Sequence, residues 1–165
     1  MLSKELETAL NEHLDAELFA SHLYLAMAAY CESIRLPGAA HWMQLQSEEE
    51  RGHALRFYQF INDRGGRIMV GSLDAPPTDF GSLTGVFQAA LEHERGVSER
   101  IQSLYRLTTD EGDYATQSFL QWFVNEQVEE EKAAKDILDQ LDLAGDDKAA
   151  LLLVDRDLGE RTAAE

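Results

Sequence analysis

Residues 48–54 read EEERGHA, and Glu50 and His53 stand three apart within a stretch of helical composition. On a helix that spacing puts a carboxylate and an imidazole side by side, so both can reach one cation. Glutamates at 17, 94 and 130 stand in three other segments of similar character. Four hard oxygen donors with one imidazole suit iron or manganese, and suit zinc less well in an open oxygen-rich site. Thiolate coordination is excluded, because Cys31 is the only cysteine.

Whether these residues can cooperate depends on the elements that carry them. Glycine and proline divide the chain into four long helical segments, at about 3–35, 38–64, 82–110 and 113–142, followed by a short one at about 146–158. The tail GERTAAE is expected to fray. A tight break at Pro37-Gly38 and another at Gly112 predict two antiparallel hairpins. The link across 65–81 is longer than a hairpin needs and is expected to cross the length of the bundle, leaving the second and third helices parallel. The expected fold is all-α: one domain over 1–165, a four-helix bundle with a long crossover and a short fifth helix.

At about 100° per residue the inward stripe of each helix can be traced. The second helix carries Trp42, Met43, Gln46, Glu49, Glu50, His53 and Phe57 on one side. The first carries Leu10, Leu14, Glu17, Tyr24 and Ala28, with His13 at the stripe's edge. The third carries Phe87, Ala90, Glu94 and Ile101, and the fourth Phe123, Glu126, Gln127, Glu130 and Ala134. Each stripe is apolar at its ends and acidic in its middle. No lysine or arginine lies at the middle of any stripe. Buried, unpaired carboxylates cost several kcal/mol each and repel one another, so multivalent cations are expected between them.

The composition sets the outer limits. Thirty-one acids face fourteen bases, a formal charge of −17, which disfavours nucleic-acid backbones and anionic membrane surfaces as partners and is compatible with cations. A lone cysteine and no leader-like N-terminus lead to the expectation of a reducing, cytoplasmic setting. No apolar run is long enough to span a bilayer.

Taken together, DAELFASHLYLA, EEERGHA, LEHERG and QWFVNEQVEEE resemble the motifs of the non-haem bacterial ferritins, along nearly the whole chain. The resemblance implies an iron-storage cage of twenty-four subunits. It implies a ferroxidase centre with two irons per subunit, which oxidises Fe(II) with O2 or H2O2 and stores Fe(III) as a hydrated oxide. Glu17, Glu50 and His53 match the ligands of one iron, Glu50 the bridge, and Glu94 and Glu130 the ligands of the second. Gln127 matches the position beside bound oxygen, and Tyr24 that of an electron donor, with Trp122 a weaker candidate for the same part. Glu49, Glu126, Glu129 and Glu130 match a third iron site. Two departures from the bacterioferritins lead to the expectation of no haem. Gln127 and Glu130 replace a second Glu-x-x-His pair, and Arg51 stands where those proteins have the haem-ligating methionine. A di-iron redox enzyme of related fold that builds no cage is the alternative reading.

Overall fold

The structure is a computed structural model and describes residues 2–163. Five helices account for its regular structure: α1 (Lys4–Ser33), α2 (Pro37–Asp63), α3 (Leu83–Glu111), α4 (Tyr114–Ala144) and α5 (Lys148–Leu158). No strand occurs among the described residues. The fold class is the all-α bundle with a short fifth helix that the stripes predict.

Side-chain caps fix most helix starts. Ser3, Ser82, Asp113 and Asp147 each accept a backbone N–H from the first turn they precede, which satisfies donors that the helix leaves free. The start of α2 differs. Pro37-Gly38 is not the break that the sequence suggests but the first turn of the helix, and residues 34–36 make the bend, with Arg35 at φ +63°. Proline suits a first helical position because its fixed φ is already helical and its missing N–H has no partner there. Leu36 offers no side-chain cap. Asp155 of α5 supplies one from a distance, its Oδ1 accepting from Ala39 N at 2.8 Å. Gly38 is required by the same contact, since a Cβ there would lie 1.7 Å from the Asp155 carbonyl oxygen.

The α2–α3 connector runs along α1. Arg67 N donates to Glu7, Met69 N to Asn11, and Gly71 N to Asp15, while Phe80 packs on Tyr30 with ring centroids 5.5 Å apart. Contacts that step from residue 7 to residue 30 carry the connector the length of the bundle. The helix that follows therefore starts where α2 starts, and the two run parallel. At the opposite end Arg64, just beyond α2, clamps Asp113 through two hydrogen bonds of 3.0 and 2.8 Å and so ties α2 to the start of α4.

The core is two apolar clusters rather than one. Met27, Cys31, Met43, Phe87 and Ala90 fill one end of the bundle, and Leu6, Leu10, Phe57, Ile101 and Phe123 fill the other. Between them lies a buried polar layer.

Candidate metal centre

The polar layer takes one acid from each long helix. Glu17 of α1, Glu50 of α2, Glu94 of α3 and Glu130 of α4 are 1%, 2%, 1% and 7% exposed, and His53 of α2 is equally enclosed. They point inward because each occupies the middle of a stripe whose ends are anchored in the two apolar clusters.

Donors fix the carboxylates one by one. His13 Nε2 donates to Glu17 Oε1 at 2.8 Å. Gln46 Nε2 donates to Glu50 Oε1 at 3.0 Å and to Glu130 Oε2 at 2.8 Å, joining α2 to α4. The Tyr24 hydroxyl donates to Glu94 Oε1, and Gln127 Nε2 donates to Glu94 Oε2 at 3.1 Å. His53 Nδ1 lies 3.1 Å from Glu50 Oε2. Glu17 Oε2 is buried with no hydrogen-bond partner, and His53 Nδ1 lies 3.9 Å from it.

The charges are out of balance. Burial, with the charges of Glu94, Glu17 and Glu130 added, pushes Glu50 well above the usual carboxylate range. Burial raises Glu94 to about 7, against the lowering hydrogen bonds from Tyr24 and Gln127. Burial and the charges of Glu94 and Glu49 raise Glu130 to about 8. Glu17 is the exception: burial would raise it, but His13 and His53 together outweigh that and lower it. Burial lowers His53, which favours the neutral ring that a metal ligand requires. Burial and the neighbouring Glu94 and Glu50 charges raise Tyr24 well above the usual phenol value, so the hydroxyl keeps its proton.

Three sets of ligand atoms each fall within 4.8 Å of one another: Glu17, Glu50 and His53; Glu50, Glu94 and Glu130; and Glu49, His53, Glu126 and Glu130. Glu50 belongs to the first two sets, as a bridge between two ions would. The orphaned Glu17 oxygen and the hard oxygen donors fit dications such as Fe(II). The third set opens into a groove of about 580 Å³ between α2, α4 and the tail. It differs from the sequence expectation in one member. His53 supplies the fourth ligand atom, while Glu129 is exposed and lines the rim of the groove. The reason is angular: Glu129 lies about 100° around α4 from Glu130 and so turns away from the layer.

Three residues that shape the site escape the sequence reading. His13 at the edge of the α1 stripe reads as a boundary residue, but Phe57 packs on its ring at 4.6 Å and the pair is buried. Gln46 stands on the inner stripe with no role assigned. Arg161 belongs to the tail expected to fray, yet it donates to Glu49 and Gln46 because α5 turns that tail back onto α2. Trp122, off the inner stripe, stands edge-on to His53 with centroids 5.4 Å apart.

A family model described as the ferritin-like domain matches residues 7–144. This chain belongs to the ferritin family. Among relatives, it is 43% identical to a bacterial non-haem ferritin of Staphylococcus epidermidis over all of this chain and 99% of that one. Identity to the corresponding protein of Staphylococcus aureus is 42%, with the same coverage. Among solved structures, an open-pore ferritin from the archaeon Archaeoglobus fulgidus superposes with a TM-score of 0.97 at 42% identity, covering 98% of this chain and all of that one. A form of the A. fulgidus ferritin engineered to be closed gives 0.98 at 41%. The ferritin likeness thus spans the four long helices, the crossover and α5. No helix among the described residues is long and apolar enough to cross a membrane.

Proposed function

We propose that this ferritin stores iron. It would oxidise Fe(II) with O2 or H2O2 at the buried pair of cation positions within each subunit and hold the Fe(III) product as a hydrated oxide inside a homo-oligomeric cage. The observation that carries this reading is the convergence of four buried glutamates, one from each of the four long helices, with His53.

Fe(II) is the substrate. Glu17, Glu50 and His53 bind one ion, and Glu50, Glu94 and Glu130 bind the other, with Glu50 shared. Each Fe(II) yields one electron. Two electrons and two protons convert O2 to H2O2, or H2O2 to two waters. The protons that Glu50, Glu94 and Glu130 hold in the metal-free state leave as the ions bind. Hard anionic ligands favour the higher charge of Fe(III), and this lowers the cost of the oxidation. Gln127 fixes Glu94 and faces the same layer, beside the position that oxygen would take. Tyr24 holds the other Glu94 oxygen and stands close enough to supply an electron. Arg51 stands where a haem-ligating methionine would, and an arginine is no haem ligand, so no haem is part of this proposal.

A cage of twenty-four subunits suits the exposed apolar side chains, Met69, Val70 and Leu73 on the connector and Tyr114 at the start of α4 among them, which lack partners within one subunit. The acidic surface suits cations and disfavours nucleic acid or an anionic membrane as partner.

An iron-soaked crystal measured for anomalous scattering tests both parts of the proposal. Two iron peaks between Glu17, Glu50, His53, Glu94 and Glu130 are expected, in a particle with cubic symmetry. Vacant positions between those side chains would overturn the di-iron reading. A dimeric iron-bearing particle on gel filtration would instead favour a redox enzyme of related fold that builds no cage.

A further inference from the structure

Beyond α5 the chain turns back, and Arg161 lies beside the candidate metal centre. Arg161 lies over the ring of Trp42, 4.3 Å from its centroid. Its Nη2 donates to Glu49 Oε2 at 2.7 Å, and its Nη1 to Gln46 Oε1 at 2.8 Å and to the Trp42 carbonyl at 3.3 Å. A guanidinium stacked on an indole and shared among three acceptors is a built contact, not a trailing side chain. Gln46 extends it inward, because its amide nitrogen donates to Glu50 and Glu130. One line of hydrogen bonds thus runs from the tail to two of the central carboxylates.

Glu49 has a competing use. Its oxygen lies within 4.8 Å of ligand atoms from His53, Glu126 and Glu130. A dication held by that set would meet a guanidinium already in contact with one of its ligands. Like charges a few ångströms apart in a partly enclosed groove repel strongly, so ion and guanidinium cannot share Glu49 at full strength.

We propose that Arg161 is a tethered counter-ion that sets the occupancy of this third cation position. While the position is empty, Arg161 pins the tail to α2 and neutralises Glu49. A cation bound by Glu49, His53, Glu126 and Glu130 drives Arg161 off Glu49 and releases the tail from Trp42. The third position is therefore weaker than its donors alone would make it. An ion there is held loosely enough to move on, and His53 and Glu130, shared with the buried pair, provide a route to it. This inference rests on the reading of the buried layer as a dication centre.

The test is an anaerobic titration of the assembled, metal-free protein with Co(II), whose visible absorption counts bound ions, in wild type, R161Q and R161K. The first two equivalents per chain are expected to bind alike in all three. The third is expected to bind about three- to tenfold more tightly in R161Q, with R161K between the two, as befits a partly exposed charge-assisted pair. With Trp122, which packs on His53, replaced by phenylalanine so that Trp42 is the only tryptophan left, the third equivalent also shifts the emission as Arg161 leaves Trp42, and adding R161Q abolishes that shift. Two equivalents bound in every protein, with a third that is equally tight in wild type and R161Q or absent from both, would overturn the role of Arg161 and leave the dication centre standing. No bound cobalt in any of them would overturn the centre, and this inference with it.

Discussion

His13 holds one oxygen of Glu17 at 2.8 Å, and the other oxygen of that carboxylate is buried with no hydrogen-bond partner. A carboxylate fixed on one side presents its second oxygen in a set direction, toward Glu50 and His53. His13 therefore positions a ligand without being one of the clustered donors. Replacing it by alanine is expected to weaken the first cation by about 10- to 100-fold, the usual effect of losing a partner that orients a metal ligand. H13Q keeps a donor and is expected to recover most of the affinity. Cobalt titration of both variants measures this, and equal affinity in H13A and wild type would contradict it.

Burial and three neighbouring acids, Glu94, Glu17 and Glu130, all raise Glu50. The metal-free E50Q protein is expected to unfold at a higher temperature than wild type. The gain is about 1–3 kcal/mol, because a buried charge problem is removed without loss of volume. Its rate of Fe(II) oxidation is expected to fall at least about a hundredfold, since the shared ligand is gone. Calorimetry and stopped-flow absorbance give the two numbers, and loss of both stability and activity would point to a purely structural Glu50.

The same layer sets the response to pH. Glu94 and Glu130 ionise at about 7 and about 8 in the folded chain, mainly through burial, against an ordinary value of 4.5. The folded state thus holds protons that the unfolded state has released, and metal-free stability falls as pH rises from about 4.5 through about 8. Burial lowers His53 and His93, which work in the opposite sense up to their ordinary value of 6.5. Between about pH 6.5 and 8 only the acids contribute, so the melting temperature of the metal-free protein is expected to fall across that interval. Bound cations have already displaced these protons, and the slope should flatten. A melting temperature that rises with pH in the metal-free protein would contradict this account.

Docking of α5 gives a separate test. Asp155 accepts from Ala39 N in the first turn of α2, and Gly38 leaves room for its backbone. D155A is expected to cost about 1–2 kcal/mol, the worth of a helix cap with a buried donor left over. G38A is expected to displace α5 outright, because the clash is with backbone that cannot rotate away. Urea unfolding measures the first, and protease cleavage near residue 145 the second.

Helix periodicity makes the buried acids legible. Glu17, Glu50, Glu94 and Glu130 share stripes with aliphatic and aromatic residues, so burial of the stripe carries the acids inward. His13 is not legible in this way. It stands at a stripe edge, and only the ring of Phe57, from another helix, decides that it is covered. Gln46 is legible as an inward residue, but its double donation depends on the distance between α2 and α4, which no single helix encodes. Arg161 lies two residues past Gly159 in a short polar tail with no period, and its seat on Trp42 exists only because α5 folds back. The opening of α2 is misleading for a related reason: Pro-Gly reads as a break until the partner that caps it, more than a hundred residues away, is in place.

That remote cap has a consequence for synthesis. A nascent chain can draw its four acids together once α4 has left the ribosome, yet the beginning of α2 stays unfinished until Asp155 has been translated. Prematurely terminated polypeptides would thus leave the entrance of that helix without its acceptor.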